Sequence, residues 1–156
     1  MTSSSSLIVI LLADGFDEAE AGLFIGRLRA AGLSVQVVGL SVRPVAGAHD
    51  LTLKLDDSME TVCRAPKRVW AVIIPGGAAH VARLQADPRV HDLLHRVLDQ
   101  GGHLVTTPGS RALLYGAGLW PRADCAGVQG SIIHFNGDTC LDAFICDLGK
   151  YFVAES

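Results

Sequence analysis

Residues able to carry chemistry gather in three short stretches of this chain: Asp14 to Glu20, Pro75 to Ala79, and Thr106 to Ser110. The first holds four acids, Asp14, Asp17, Glu18 and Glu20. The second holds the pair Gly76-Gly77, and the third holds Thr107, Pro108 and Ser110. A carboxylate such as Glu20 is a candidate general acid/base. Two glycines after an apolar run suit a tight turn, or a place where backbone approaches a ligand. Each also has a plainer reading: Glu20 suits the first turn of a helix, where the dipole favours anions, and Thr107 suits a turn hydroxyl.

Other reactive side chains lie apart from these stretches. His91 and His95 stand four residues apart, a spacing that suits a zinc pair on a helix. No HExxH frame surrounds them, and they read as surface residues. His134, within SIIHF, reads as a hydrogen-bonded core histidine. Cys140 falls in the first turn of the last helix, a setting that activates thiols, and also fits a buried structural cysteine. No metal and no cofactor is expected. The first stretch has one glycine in place of GxGxxG, no GxxxxGK[ST] occurs, and the acids would repel phosphate. A flavin reading is disfavoured too, because that turn is acidic instead of rich in Ser, Thr and Gly.

The elements that position these stretches follow from apolar patterning. LIVILLA (Leu7 to Ala13) is an unbroken aliphatic run, as a strand buried on both faces should be. Asp14-Gly15 turns the chain into a helix with an apolar stripe of Phe16, Ala19, Leu23, Gly26 and Ala30, stopped at Gly32. Leu33 to Leu40 reads as the next strand, completing a right-handed βαβ unit. Residues 41 to 62 look irregular, with LTLKL alternating like an edge strand. VWAVII (Val69 to Ile74) is another buried strand, a helix runs from Asp87 to Gln100, and His103 to Thr106 is a short strand. SRALLYGAG reads as a short helix, AGVQ and SIIHF as strands, and Thr139 as the cap of a helix from Cys140 to Tyr151. The expected architecture is α/β: a doubly wound, mainly parallel, flavodoxin-like sheet in three α/β/α layers, one domain over 1–156 with residues 1–6 disordered. In such sheets ligands lie beyond the carboxyl ends of the strands, where the three chemical stretches fall.

Bulk properties narrow the functions. Nearly half the residues are apolar and fewer than a fifth are charged, which excludes a disordered chain. Net charge is −3 with no Lys/Arg block, which argues against nucleic-acid or anionic-membrane binding. No apolar run is long enough to span a bilayer, and Met1 to Ser6 lack the basic residues of a signal peptide. The four cysteines, Cys63, Cys125, Cys140 and Cys146, have no CxxC spacing and read as reduced thiols of a cytoplasmic protein.

Taken in order, LIVILLADGFDEAEA, AAGLSVQVVGL, VWAVIIPGGAA and GGHLVTTPGSRALLYGAGL resemble the PfpI/DJ-one superfamily, and GDTCLDAFICDLG is similar to its last helix. This superfamily includes intracellular proteases, deglycases, glyoxalases, hydratases and chaperones. The resemblance implies a cysteine at a strand-to-helix elbow, a glutamate from the first helix, often a later histidine, and an oxyanion hole of backbone N–H groups. Carried across, Glu20 matches the glutamate, Gly76 and Gly77 the glycine pair, and Thr107 the elbow cysteine. A threonine is a far poorer nucleophile than an activated thiol. Pro108 has no N–H to give an oxyanion and biases Thr107 toward extended backbone. Between Gly118 and Thr139 the chain is shorter than the family pattern, and His134 is the only histidine there. The expectation is a diverged member without cysteine catalysis, acting in ligand binding or stress response. The alternative is a hydrolase or lyase using Glu20 as general acid/base. Its partners would be an unknown small-molecule ligand and a second copy of itself, docked through the helix carrying Gly22 and Gly26.

Overall fold

The computed structural model of the chain describes residues 6–64, 68–119 and 131–155. Its centre is a six-stranded sheet containing β1 (Leu7–Leu12), β2 (Val35–Gly39), β5 (Asp57–Ser58), β6 (Val69–Ile74), β7 (His103–Thr106) and β8 (Ser131–His134). The order across the sheet is β5-β2-β1-β6-β7-β8, and every neighbouring pair is parallel. The expected flavodoxin-like, three-layer α/β/α fold is therefore present.

Alternate side chains of β1 point to opposite layers, as the period of a strand requires. Leu7, Val9 and Leu11 join a core with Leu84, Leu93, Leu94 and Val97, under α3 (Ala78–Gln85) and α4 (Pro88–Asp99). The same layer holds α2 (Met59–Arg64) and α5 (Arg111–Gly116). Ile8, Ile10 and Leu12 join Phe24, Leu28, Ile145 and Phe152, under α1 (Glu18–Ala30) and α6 (Leu141–Glu155). The whole of β1 is therefore apolar, because both its faces are covered.

Several sequence expectations need correction. The buried face of α1 is Ala21, Phe24 and Leu28, while Ala19, Gly26 and Ala30 are exposed and Leu23 is half-buried. Phe16 is fully buried but precedes the helix, in an isolated bridge to Gly47. Asp17, not the apolar stripe, sets where the helix starts: its side chain accepts the Glu20 N–H at 3.0 Å. Gly32 does stand just beyond the helix end, at φ +83°, where a left-handed residue suits glycine.

Residues 41–62 are more regular than expected. Of LTLKL only Thr52 and Leu53 form β4, paired antiparallel with β3 (Val45–Ala46), and the stretch also holds β5 and the start of α2. The helix α3 has no counterpart in the sequence pattern. The last helix starts at Leu141, and the sulfur of Cys140, not the Thr139 hydroxyl, accepts the Ala143 N–H, at 3.4 Å. Cys140 is exposed, which corrects its reading as a buried cysteine. AGVQ, Cys125 and residues 1–5 lie outside the described residues. No helix of the described residues is long and apolar enough to cross a membrane.

Candidate functional site

The sheet changes direction of winding at β1 and β6, and three turns meet beyond the strand ends there. The backbone itself pins them together. Asp17 N–H donates to the Gly76 carbonyl at 2.8 Å, tying the start of α1 to the turn after β6. Gly77 has φ +126°, and a Cβ there would lie 2.4 Å from the Gly15 carbonyl oxygen. At Gly76 a Cβ would meet a Glu20 carboxylate oxygen at 2.8 Å and the Gly109 Cα at 3.2 Å. The glycine pair is thus required sterically, both by close approach and, at Gly77, by backbone conformation.

Glu20, in the first turn of α1, reaches into this junction. Its Oε2 accepts the Gly76 N–H at 2.7 Å and the Thr107 hydroxyl at 3.2 Å. No described residue hydrogen-bonds its other oxygen, Oε1. Burial pushes the Glu20 carboxyl above its usual value, the Gly76 N–H opposes that, the nearby Asp17 charge adds to it, and the Thr107 hydroxyl opposes it again. The result is a half-buried carboxylate with one oxygen held and one free to accept a proton.

Thr107 is fully buried. Its N–H donates to Ser110 Oγ at 3.0 Å, and its carbonyl accepts from the N–H groups of Ser110 and Arg111 at 3.0 and 3.1 Å. Among the described residues Asp50 is the one non-glycine at positive φ, so Thr107 carries no left-handed strain. Pro108 is exposed beside it and offers no N–H. Glu20, Gly76, Gly77 and Thr107 are therefore brought together, with Pro108 at the rim.

The other candidates lie elsewhere or play plainer parts. His134 is half-buried at the end of β8, where its Nδ1 meets Thr106 Oγ1 at 3.0 Å. Burial lowers its pKa, and Arg111 adds to that. His95 Nε2 meets the Ala117 carbonyl at 2.8 Å, and His91 is half-buried. No cluster of metal-ligating groups occurs among the described residues.

His80 escaped the sequence reading, and Ser110, although within the third stretch, carried no assigned role there. His80, in α3, is fully buried. Its Nδ1 accepts the Ala13 N–H at 2.9 Å, and its Nε2 lies 3.0 Å from the Pro75 carbonyl. Those partners fix the neutral Nε2–H tautomer and bolt the end of β1 to the end of β6. Burial lowers its pKa to about 4, against the opposing bonds to Pro75 and Ala13. The only sequence signal was its place with Val81 and Leu84 on one helical face. Ser110, also buried, accepts from Thr107 N–H and donates to the Ile74 carbonyl, holding the third turn to β6.

A doubly wound parallel sheet whose switch point carries a half-buried glutamate, a glycine pair and a strand-to-helix turn defines a flavodoxin-like α/β protein with a carboxylate site. The DJ-1/PfpI family model matches residues 6–148, and the chain belongs to that family. Solved structures agree on the fold. An alanine-for-cysteine variant of a DJ-1 superfamily protein from Salmonella typhimurium is 22% identical, with a TM-score of 0.78, covering 96% of this chain and 91% of that one. Drosophila melanogaster DJ-1beta is 21% identical, with a TM-score of 0.81 and coverage of 94% and 90%. Oxidized Toxoplasma gondii DJ-1 is 20% identical, with a TM-score of 0.77 and coverage of 96% and 97%.

Proposed function

We propose that this chain is a DJ-1/PfpI protein that has given up the cysteine-based reaction and binds a small-molecule ligand at its strand-end site, in a stress-response or scaffolding role. The observation that carries this is the state of Thr107, the residue at the elbow position. Its hydroxyl is buried and donated to Glu20, and the Pro108 that follows cannot supply an oxyanion donor. A threonine needs an adjacent base placed to withdraw its proton toward an open substrate site. Here the fully buried hydroxyl donates to Glu20, in a corner where Gly76 and Gly109 also come close.

One observation favours a second reading, in which Glu20 itself is the base. Its raised carboxyl and unengaged Oε1 suit a group that takes a proton from water as the water oxygen adds to a reactive carbonyl, then returns it to the resulting alkoxide. Assays of wild type, Glu20→Gln and Thr107→Cys for consumption of methylglyoxal and of a fluorogenic peptide separate the two. A silent wild type supports the binding protein. Turnover by wild type that vanishes in Glu20→Gln overturns it in favour of the Glu20 reaction.

We also assign the chain a cytoplasmic setting and a homodimer formed through α1. Gly22 and Gly26 are exposed on that helix, and a Cβ at either would meet nothing within 4 Å, so a second copy could approach closely. Light scattering at micromolar concentration should give twice the chain mass; a monomer alone would remove this assignment.

A further inference from the structure

A cleft at the same end of the sheet takes no part in the Glu20 cluster. It encloses about 230 Å³ between the ends of β1 and β2 and the helix α3, with Ala13, Asp14, Ser41, Arg43, Val45 and Arg83 in its lining. Its walls are fixed by hydrogen bonds. Ala46 N–H donates to Asp14 Oδ1 at 2.9 Å, and Gly15 N–H donates to the Ala46 carbonyl at 2.8 Å. On the third side, the bond from Ala13 N–H to His80 seats α3 one turn before Arg83. The position lies outside the carboxyl ends of parallel strands, where ligands of such sheets lodge.

The charges in this cleft are unbalanced. Arg27, Arg29, Arg64 and Arg89 each pair with a carboxylate elsewhere on the surface. By contrast, Arg43 makes no hydrogen bond or ion pair with a described residue, and Arg83 reaches only the Ala79 carbonyl of its own helix, at 3.5 Å. Asp14 is the one carboxylate in the lining, and its Oδ1 is already engaged by Ala46. Two arginines from separate elements thus share the lining with one partly engaged acid, in a chain whose net charge is −3. A guanidinium presents a planar fork of donors that matches the oxygens of a carboxylate or phosphate. The Ser41 hydroxyl adds a neutral donor or acceptor to the same lining.

We infer that this cleft binds a small oxyanion, the phosphate or carboxylate group of a metabolite-sized ligand, between Arg43 and Arg83. At about 30 Å³ per water the cleft of about 230 Å³ has the volume of roughly eight waters. That accommodates an anionic group with a short carbon stem. The inference stands apart from the reading of Glu20 and Thr107, since neither lines the cleft.

The test is a titration of ¹⁵N-labelled protein followed by amide shifts, with inorganic phosphate in one arm and succinate in the other. Sodium chloride at matched ionic strength is the control. The expected result is saturable shifts confined to the amides of Asp14, Ser41, Arg43, Val45 and Arg83, in at least one arm and not with chloride. The arm that saturates at lower concentration identifies the charged group. Arg43→Gln and Arg83→Gln should each weaken binding about tenfold, because each removes charge-assisted hydrogen bonds. Arg83→Lys, which keeps charge and loses the fork, should fall between, and Arg64→Gln on α2 should bind as wild type. Both cleft arginines are exposed, so the remainder of the spectrum reports that each variant is folded. Shifts that fail to saturate, that chloride reproduces, or that persist at wild-type affinity in the Arg43→Gln/Arg83→Gln double variant would overturn the inference.

Discussion

Acid should unfold this protein in a way traceable to His80. The neutral ring accepts the Ala13 N–H on Nδ1, so a proton on that nitrogen would set one donor against another inside a fully buried junction. Folded His80 accordingly holds its neutral form down to about 4, whereas in the unfolded chain it takes up a proton near the ordinary value of about 6.5. A histidine whose folded pKa is depressed contributes stability that is fully present above the unfolded pKa and is lost as pH falls. Linkage then gives a loss of roughly 1.4 kcal/mol at pH 5.5 and roughly 2.6 kcal/mol at pH 4.5. That is a large share of the roughly 5–15 kcal/mol that holds a domain together. The assay is urea unfolding of wild type and His80→Leu from pH 7.5 to 4.5. At neutral pH the variant should be less stable by about 1–3 kcal/mol, because the Ala13 N–H and the Pro75 carbonyl lose their partners. Its deficit should shrink toward zero, or reverse, as pH falls. His103 and His134 also have lowered pKa values, so the difference between the proteins, not the wild-type curve, isolates His80. A deficit that stays constant over the whole range would refute the reasoning.

Glu20→Gln should raise the melting temperature at pH 7, since a carboxyl whose folded pKa is raised stabilises below its unfolded pKa and costs stability once ionised. The gain should disappear when melting is repeated near pH 4. Gly77→Ala should lower stability by about 1–3 kcal/mol by denaturant titration, because a Cβ at φ +126° would sit 2.4 Å from the Gly15 carbonyl oxygen. Iodoacetamide followed by mass spectrometry should label the exposed Cys140 and Cys146 of the native protein before the half-buried Cys63; an unreactive Cys140 would contradict its exposed position.

Much of the fold was legible because parallel strands covered on both faces are written as unbroken aliphatic runs. LIVILL and VWAVII, short, β-branched and bounded by turns, read as buried strands, and Gly32 and Gly101 mark helix ends in the left-handed conformation. The face of α1 differs from the sequence expectation because Phe16 is buried just ahead of the helix, so a stripe that starts from it is set in the wrong register. The helix α3 was hidden for another reason. Its N-cap is Gly77, with no side-chain cap, and one of its inward positions is a histidine, so neither the start signal nor the apolar stripe was complete. In the 41–62 stretch, pairs of two residues are too short to show any alternation. At the site, Glu20, the glycines and Thr107 could be found from the strand-end rule alone. His80 and the role of Ser110 could not, because each is a polar side chain buried to satisfy a backbone group, 67 and 36 positions away.

The two titratable side chains of the strand-end junction answer acid in opposite ways, and that divides their work. Both grip the backbone of the turn after β6: His80 at the Pro75 carbonyl, Glu20 at the Gly76 N–H. Yet His80 has no room for a second proton, since both ring nitrogens already face fixed backbone groups, whereas Glu20 keeps Oε1 free and has its carboxyl raised by burial. A proton reaching this end of the sheet is therefore accepted by the carboxylate and refused by the imidazole. Removing the refusal, as in His80→Leu, loosens the junction without changing where a proton can go. Removing the acceptor, as in Glu20→Gln, takes away the proton site while leaving an amide oxygen to receive the Gly76 N–H. On the Glu20 reading, a ligand lodged there would meet Glu20 as its acid–base partner, while His80 bolts the end of β6 to the end of β1.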